Sequence, residues 1–133
     1  MKPKRIEHIG IAVSNLEEAI KYWEDVMGLE CYNIEEVVDQ KVKTAFFKVG
    51  EVKIELLEAT SPDSPIAGFL EKKGPGVHHI AFAVDNVNEA LADVEKAGAR
   101  LIDKTSRKGA EGLNIGFLHP KSTLGVLTEL CGE

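Results

Sequence analysis

Two histidines and two glutamates stand in this chain at matched intervals, and they are residue types that together hold a divalent cation. His8 and His79 are 71 positions apart, Glu55 follows His8 by 47, and Glu129 follows His79 by 50. Two imidazoles and two carboxylates, with coordination positions left for water or substrate, suit a hard or borderline ion. Co²⁺, Mn²⁺, Ni²⁺ and Zn²⁺ all meet that description. Taken singly these residues say less. A lone histidine on a strand more often serves structure, and Glu55 in Val52-Lys-Ile-Glu-Leu could be the solvent side of an alternating strand.

What couples them is an internal repeat. Glu7-His-Ile-Gly-Ile-Ala-Val-Ser-Asn-Leu-Glu-Glu-Ala-Ile20 aligns without a gap on His78-His-Ile-Ala-Phe-Ala-Val-Asp-Asn-Val-Asn-Glu-Ala-Leu91, with seven identities in fourteen positions. His8 pairs with His79 in that alignment, and two independent accidents would have to fall at matching places.

Each copy reads as the same run of elements. Residues 6–13 and 77–84 are short, apolar and β-rich, hence strands. Ser14 with Glu17, and Asp85 with Asn88, have the spacing of helix-capping boxes. Leu16, Ala19, Ile20, Trp23 and Met27 follow at helical spacing, as do Val87, Ala90, Leu91 and Val94. Gly28 and Gly98 close the two helices. Three further strands are expected in each half, at 31–37, 42–49 and 52–57, then at 99–103, 113–118 and 125–130. The order is βαβββ, twice. Module one covers 1–60 and module two 76–133. The Pro-, Ser- and Gly-rich linker 61–75 lies between them, with a short helix near 66–72. Neither half is large enough to stand alone, so the expected fold is a single α+β domain. In it, two paired modules form a partly closed mixed sheet around the metal.

Strand alternation places His8 on a face with Gly10 and Ala12, and His79 with Ala81 and Ala83. Those small residues suit the wall of a cavity. Glu129 shares its face with Leu127 and Cys131, where an unpaired carboxylate would be costly and a cation would resolve the cost. The same alternation turns Glu7 and His78 to the opposite face, and His119, before Pro120 in a turn, is excluded by position.

Composition sets the surroundings. The formal net charge of −6 argues against non-specific binding to nucleic acid or to an anionic membrane surface. Lys72-Lys73, and Lys104 with Arg107-Lys108, could receive phosphates, although solvated surface is the commoner use of such clusters. No apolar run reaches the roughly 20 residues that span a bilayer. The basic start, Met1-Lys-Pro-Lys-Arg, lacks a signal-type apolar core, and Cys31 and Cys131 read as reduced thiols, so a cytoplasmic location is expected.

The paired modules with His8, Glu55, His79 and Glu129 resemble the vicinal-oxygen-chelate superfamily, which includes glyoxalase I, extradiol dioxygenases and antibiotic-resistance proteins. Within it, the resemblance over nearly the whole chain is to the methylmalonyl-CoA epimerase family. It is carried by His8-Ile-Gly-Ile-Ala-Val, Lys53-Ile-Glu-Leu-Leu-Glu, Asp63-Ser-Pro-Ile-Ala-Gly-Phe-Leu, Gly76-Val-His-His-Ile-Ala-Phe, Phe117-Leu-His-Pro-Lys-Ser and Gly125-Val-Leu-Thr-Glu-Leu. The resemblance implies a coenzyme A thioester substrate, a homodimer, and metal-assisted proton transfer that interconverts the (R) and (S) epimers through an enolate. Glu55 and Glu129 would then be metal ligands that also act as the two acid/base groups, one for each face of the enolate. In one respect the chain departs from the family it resembles. Thr44 stands where some bacterial epimerases carry a glutamate proposed as base, and those enzymes have glutamine where Glu55 stands here. Two alternatives remain: a glyoxalase-type lactoylglutathione lyase using the same ligands, and a non-catalytic small-molecule-binding protein.

Overall fold

The computed structural model describes residues 1–133. Its elements run β1 (Arg5–Ala12), α1 (Leu16–Asp25), β2 (Asn33–Val37), β3 (Val42–Val49), β4 (Val52–Ala59), α2 (Pro65–Lys73), β5 (Gly76–Ala83), α3 (Val87–Lys96), β6 (Arg107–Lys108), β7 (Asn114–Leu118) and β8 (Thr128–Gly132). This is βαβββ twice, with α2 between, as the repeat implies. The strands lie in the order β2-β3-β4-β1-β5-β8-β7-β6, so each run's last strand neighbours its first. β5 and β8 are parallel, while β2, β3 and β4, and likewise β6, β7 and β8, meet antiparallel. The sheet is therefore mixed. The fold is α+β, as the two βαβββ runs lead one to expect.

The chain divides into two compact units, one made of Met1–His8 with His79–Glu133 and the other of Ile9–His78. In the Ile9–His78 unit the strands bury both faces. Leu16, Ala45, Phe47 and Leu56 pack with Ile11, Val13, Ala19, Ile20 and Trp23 under α1. Ala12, Val42 and Leu57 pack with Ile66, Phe69 and Leu70 of α2. Period-two alternation on β1 thus sends Ile11 to one core and Ala12 to the other.

In the other unit, Val84, Val87, Ala90, Leu91, Leu118 and Leu130 gather beneath α3. The opposite side holds Ala81, Ile115 and Cys131 with Leu113 and Phe117. Gly116 is what lets α3 come close, because a Cβ there would stand 2.8 Å from Leu91 Cδ1. Burying a leucine such as Leu91 fully contributes about 1.5–3 kcal/mol.

Three local expectations are corrected. The helices are capped one residue later than the Ser14 and Asp85 boxes suggest. Asn15 Oδ1 accepts the Glu18 N–H at 3.0 Å, and Asn86 Oδ1 accepts the Glu89 N–H at 2.9 Å. Both members of each Ser/Asn or Asp/Asn pair are good cap formers, and the asparagine wins because its oxygen reaches the third amide of the helix. Residues 99–103 form no strand. Leu101 makes a single bridge to Leu118, and the Ile102 and Asp103 amides both donate to the Phe117 carbonyl. The edge position is filled instead by Arg107–Lys108. Finally, the last strand begins at Thr128, after a tight run in which the Gly125 amide donates to the Pro120 carbonyl at 2.8 Å.

Candidate metal centre

The parallel pairing of β5 with β8 brings one histidine and one glutamate side by side. Ala81 is the register partner of Glu129. His79 lies two residues before Ala81 and shares its face. His79 Nε2 stands 3.1 Å from Glu129 Oε1. The first strand adds His8, whose Nε2 lies 3.1 Å from His79 Nε2 and 3.5 Å from Glu129 Oε1. The two imidazoles meet edge to face at 88°. All three residues are buried, at 4% exposure for His8, 6% for His79 and 4% for Glu129.

Three lone-pair atoms at these separations fit one divalent ion. Around a cation with bonds of about 2.0–2.2 Å, neighbouring nitrogen and oxygen ligands lie roughly 3.0 Å apart in octahedral geometry and 3.4 Å in tetrahedral. The observed 3.1, 3.1 and 3.5 Å fall in that range. The donor set, two imidazoles and a carboxylate, is one that borderline ions accept. In the metal-free chain, burial works against the charged form of Glu129. Hydrogen bonds from His79 and His8, with their positive charge, more than offset it and lower its pKa from 4.5 to about 2.

Glu55 sits in the other unit, in the middle of β4, at 3% exposure. Its register partner on β3 is Phe46. Lys53, two residues earlier on the same face and itself 8% exposed, places Nζ 3.7 Å from Glu55 Oε2 and over the Phe46 ring. The sequence reading passed over this lysine. An alternating strand makes Lys53 look like a solvent-side residue, and nothing local marks it as buried. Thr44 is 1% exposed on β3, between Glu35 of β2 and Leu57 of β4 in the register, and its hydroxyl offers no carboxylate function.

Glu7 corrects the reading that turned it away from the site. It is buried at 8% exposure, and its Oε1 lies 2.6 Å from His8 Nδ1. Strand alternation fixes where the Cβ points, but a glutamate has enough length to bend its carboxylate back along the strand. Glu7, His8 and Cys131 also bring their polar atoms within 4.8 Å of one another, and Cys131 is fully buried. His78, which holds the repeat-equivalent place to Glu7, packs its ring edge-on to Phe69 at a centroid distance of 5.0 Å. His119 lies in the turn after β7, where its Nδ1 accepts the Lys121 amide at 3.1 Å.

The family model described as "Glyoxalase/Bleomycin resistance protein/Dioxygenase superfamily" matches residues 7–117. The chain is 40% identical over 127 residues to the mitochondrial methylmalonyl-CoA epimerase of Homo sapiens, covering 95% of this chain and 72% of that one. It is 39% identical over 128 residues to the ethylmalonyl-CoA/methylmalonyl-CoA epimerase of Cereibacter sphaeroides, covering 95% and 96%. Among solved structures, a methylmalonyl-CoA epimerase in complex with methylmalonyl-CoA and NH4+ superimposes with a TM-score of 0.96 at 38% identity, covering 99% and 96% of the two chains. No helix of the chain is long and apolar enough to cross a membrane.

Proposed function

The chain belongs to the glyoxalase/bleomycin resistance protein/dioxygenase superfamily, and from that premise we propose that it is a methylmalonyl-CoA epimerase. The observation that carries this reading is the triangle of His8 Nε2, His79 Nε2 and Glu129 Oε1, buried and spaced for one divalent ion. Full-length likeness to epimerases of methylmalonyl-CoA supports the choice of substrate.

The reaction removes a weakly acidic proton from a carbon flanked by a thioester and a carboxylate, then returns one to the opposite face. When bound, a divalent cation supplies electrostatic stabilisation to the negative charge that develops on the substrate oxygens, worth several kcal/mol. We take that ion to be Co²⁺, with Mn²⁺, Ni²⁺ or Zn²⁺ as substitutes. His8, His79 and Glu129 would hold it, and Glu55 is the proposed fourth ligand because it occupies in the first repeat the place of Glu129 in the second.

The protein's own part is to hold and move protons. Inversion needs a group on each face of the planar enolate, and Glu55 and Glu129 are the proposed pair. Glu129 is ionised in the metal-free chain, which is the form that a base or a metal ligand requires. Thr44 contributes no base.

We further propose a homodimer and a cytoplasmic location, a single domain spanning both modules, and no role for nucleic acid or membrane. The deciding experiment combines metal analysis of the purified chain with deuterium wash-in on methylmalonyl-CoA. One divalent ion per chain and solvent-derived deuterium at the α-carbon of the product are expected. A metal-replete protein that leaves the α-proton in place, yet isomerises a glutathione hemithioacetal, would overturn the reading.

A further inference from the structure

The two ligand histidines, equivalent in the repeat, are not equivalent in the structure. We propose that Glu7 is a positioning residue for His8, fixing its tautomer and strengthening it as a metal ligand. The inference rests on the metal-centre reading above and extends it to the residues behind the ligands.

The contact is direct. Glu7 Oε1 and His8 Nδ1 are 2.6 Å apart, at the short end of the range for a charge-assisted hydrogen bond. A carboxylate can only accept, so Nδ1 carries the hydrogen and donates it to Glu7. Nδ1 is thereby the nitrogen engaged by Glu7, and Nε2 is the nitrogen left to face His79 and Glu129. The ring is held at one end by Glu7 and cannot turn the wrong nitrogen toward the ion.

The setting makes the contact stronger. Glu7 is 8% exposed and shares its surroundings with the fully buried Cys131. In so dry a place a carboxylate–imidazole hydrogen bond is electrostatically stronger than at the surface, and it raises the electron density available at Nε2. The repeat supplies the contrast. The residue before His79 is His78, an imidazole in place of a carboxylate. His79 itself presents its ring edge-on to Phe117 at a centroid distance of 5.4 Å. Only one of the two ligands thus has a carboxylate in the preceding position.

Two arms test this on the full chain. In the first, metal-free wild type, Glu7→Gln and Glu7→Asp are titrated with Co²⁺ by calorimetry and visible absorption. Glu7→Gln should weaken Co²⁺ binding by about 10–100-fold, and Glu7→Asp, which keeps the carboxylate, should recover most of it. Equal affinity in wild type and Glu7→Gln would overturn the positioning role alone. No Co²⁺ binding by wild type would overturn the metal-centre reading and this inference with it. The second arm needs no variant, so it decides the matter even if Glu7→Gln does not fold. Nitrogen-15 spectra of wild type, metal-free and loaded with diamagnetic Zn²⁺, should show His8 protonated at Nδ1 in both and zinc on Nε2 in the second. A bare Nδ1, or zinc bound at Nδ1, would overturn it.

Discussion

The Nε2 atoms of His8 and His79, 71 residues apart in the chain, lie 3.1 Å from each other with their rings crossed at 88°. Two imidazole lone pairs at that distance repel unless a proton or a cation lies between them. Glu129, 3.1 Å from one and 3.5 Å from the other, adds a negative charge to the same spot. This arrangement has a direct consequence for metal binding. His8→Ala and His79→Ala should each abolish binding of a divalent ion and epimerisation together. Elemental analysis and calorimetric titration check it, and full metal occupancy in His8→Ala would remove that residue from the ligand set.

The two glutamates can be separated by which face of the substrate they serve. Glu55→Gln and Glu129→Gln keep an oxygen but lose a base, so each should exchange the α-proton of one epimer in D₂O without inverting it. The two variants should prefer opposite epimers. Loss of a general base typically costs 10²–10⁴-fold, well within detection. Each pure epimer is incubated with each variant, and deuterium content and configuration are followed separately. Inversion of both epimers by Glu129→Gln at near wild-type rate would leave Glu129 as a ligand only.

Acid should unfold the metal-free chain partly through Glu129. Its pKa is 4.5 in the ordinary case and about 2 in the fold, so its ionised form stabilises the native state above about pH 4.5. That contribution is lost as pH falls from about 4.5 through about 2, and amounts to at most about 3 kcal/mol. Denaturant melts of metal-free wild type and Glu129→Gln over this interval should converge toward low pH. A stability difference that stays constant across it would contradict the ionised, histidine-bound state.

The packing around α3 offers a test of the fold itself. Leu91 is fully buried in the cluster with Val84, Leu118 and Leu130, so Leu91→Ala should cost about 2–5 kcal/mol. Asn86→Ala removes the acceptor for the Glu89 amide and should cost about 1 kcal/mol. Both are read by chemical denaturation. Equal effects would mean that Leu91 can be replaced by collapse of its neighbours.

Much of this was written in the sequence because the repeat carried it. The offset of 71 revealed the two βαβββ runs and paired His8 with His79 without any structure. The nearness of Glu129 to His79 was suggested by matched spacing, but it depends on β8 lying parallel beside β5, which no local pattern dictates. Glu7 was misread because alternation describes Cβ directions and not the reach of a long side chain. Segment 99–103 reads as a strand because its apolar residues fit one, whereas the Phe117 amide donates to the Asp103 side-chain carboxylate, at 2.9 Å, in place of a backbone carbonyl. Lys53 was missed because its burial arises from neighbours on other strands.

The parallel pairing of β5 with β8 also governs when the site can exist. Parallel neighbours need a long crossover, and here it includes α3, β6 and β7. Closing such a loop loses entropy before the contacts that repay it form, so native pairings of this kind arise late and slowly. An unfolded or half-folded chain accordingly has scattered ligands and no chelate. Metal then binds the finished fold almost alone, and the melting temperature should climb with free metal concentration. The gain is about 2.7 kcal/mol when the ion is present at 100 times its dissociation constant. The supply of that ion would then bear on how long the fold persists as well as on whether the site is filled.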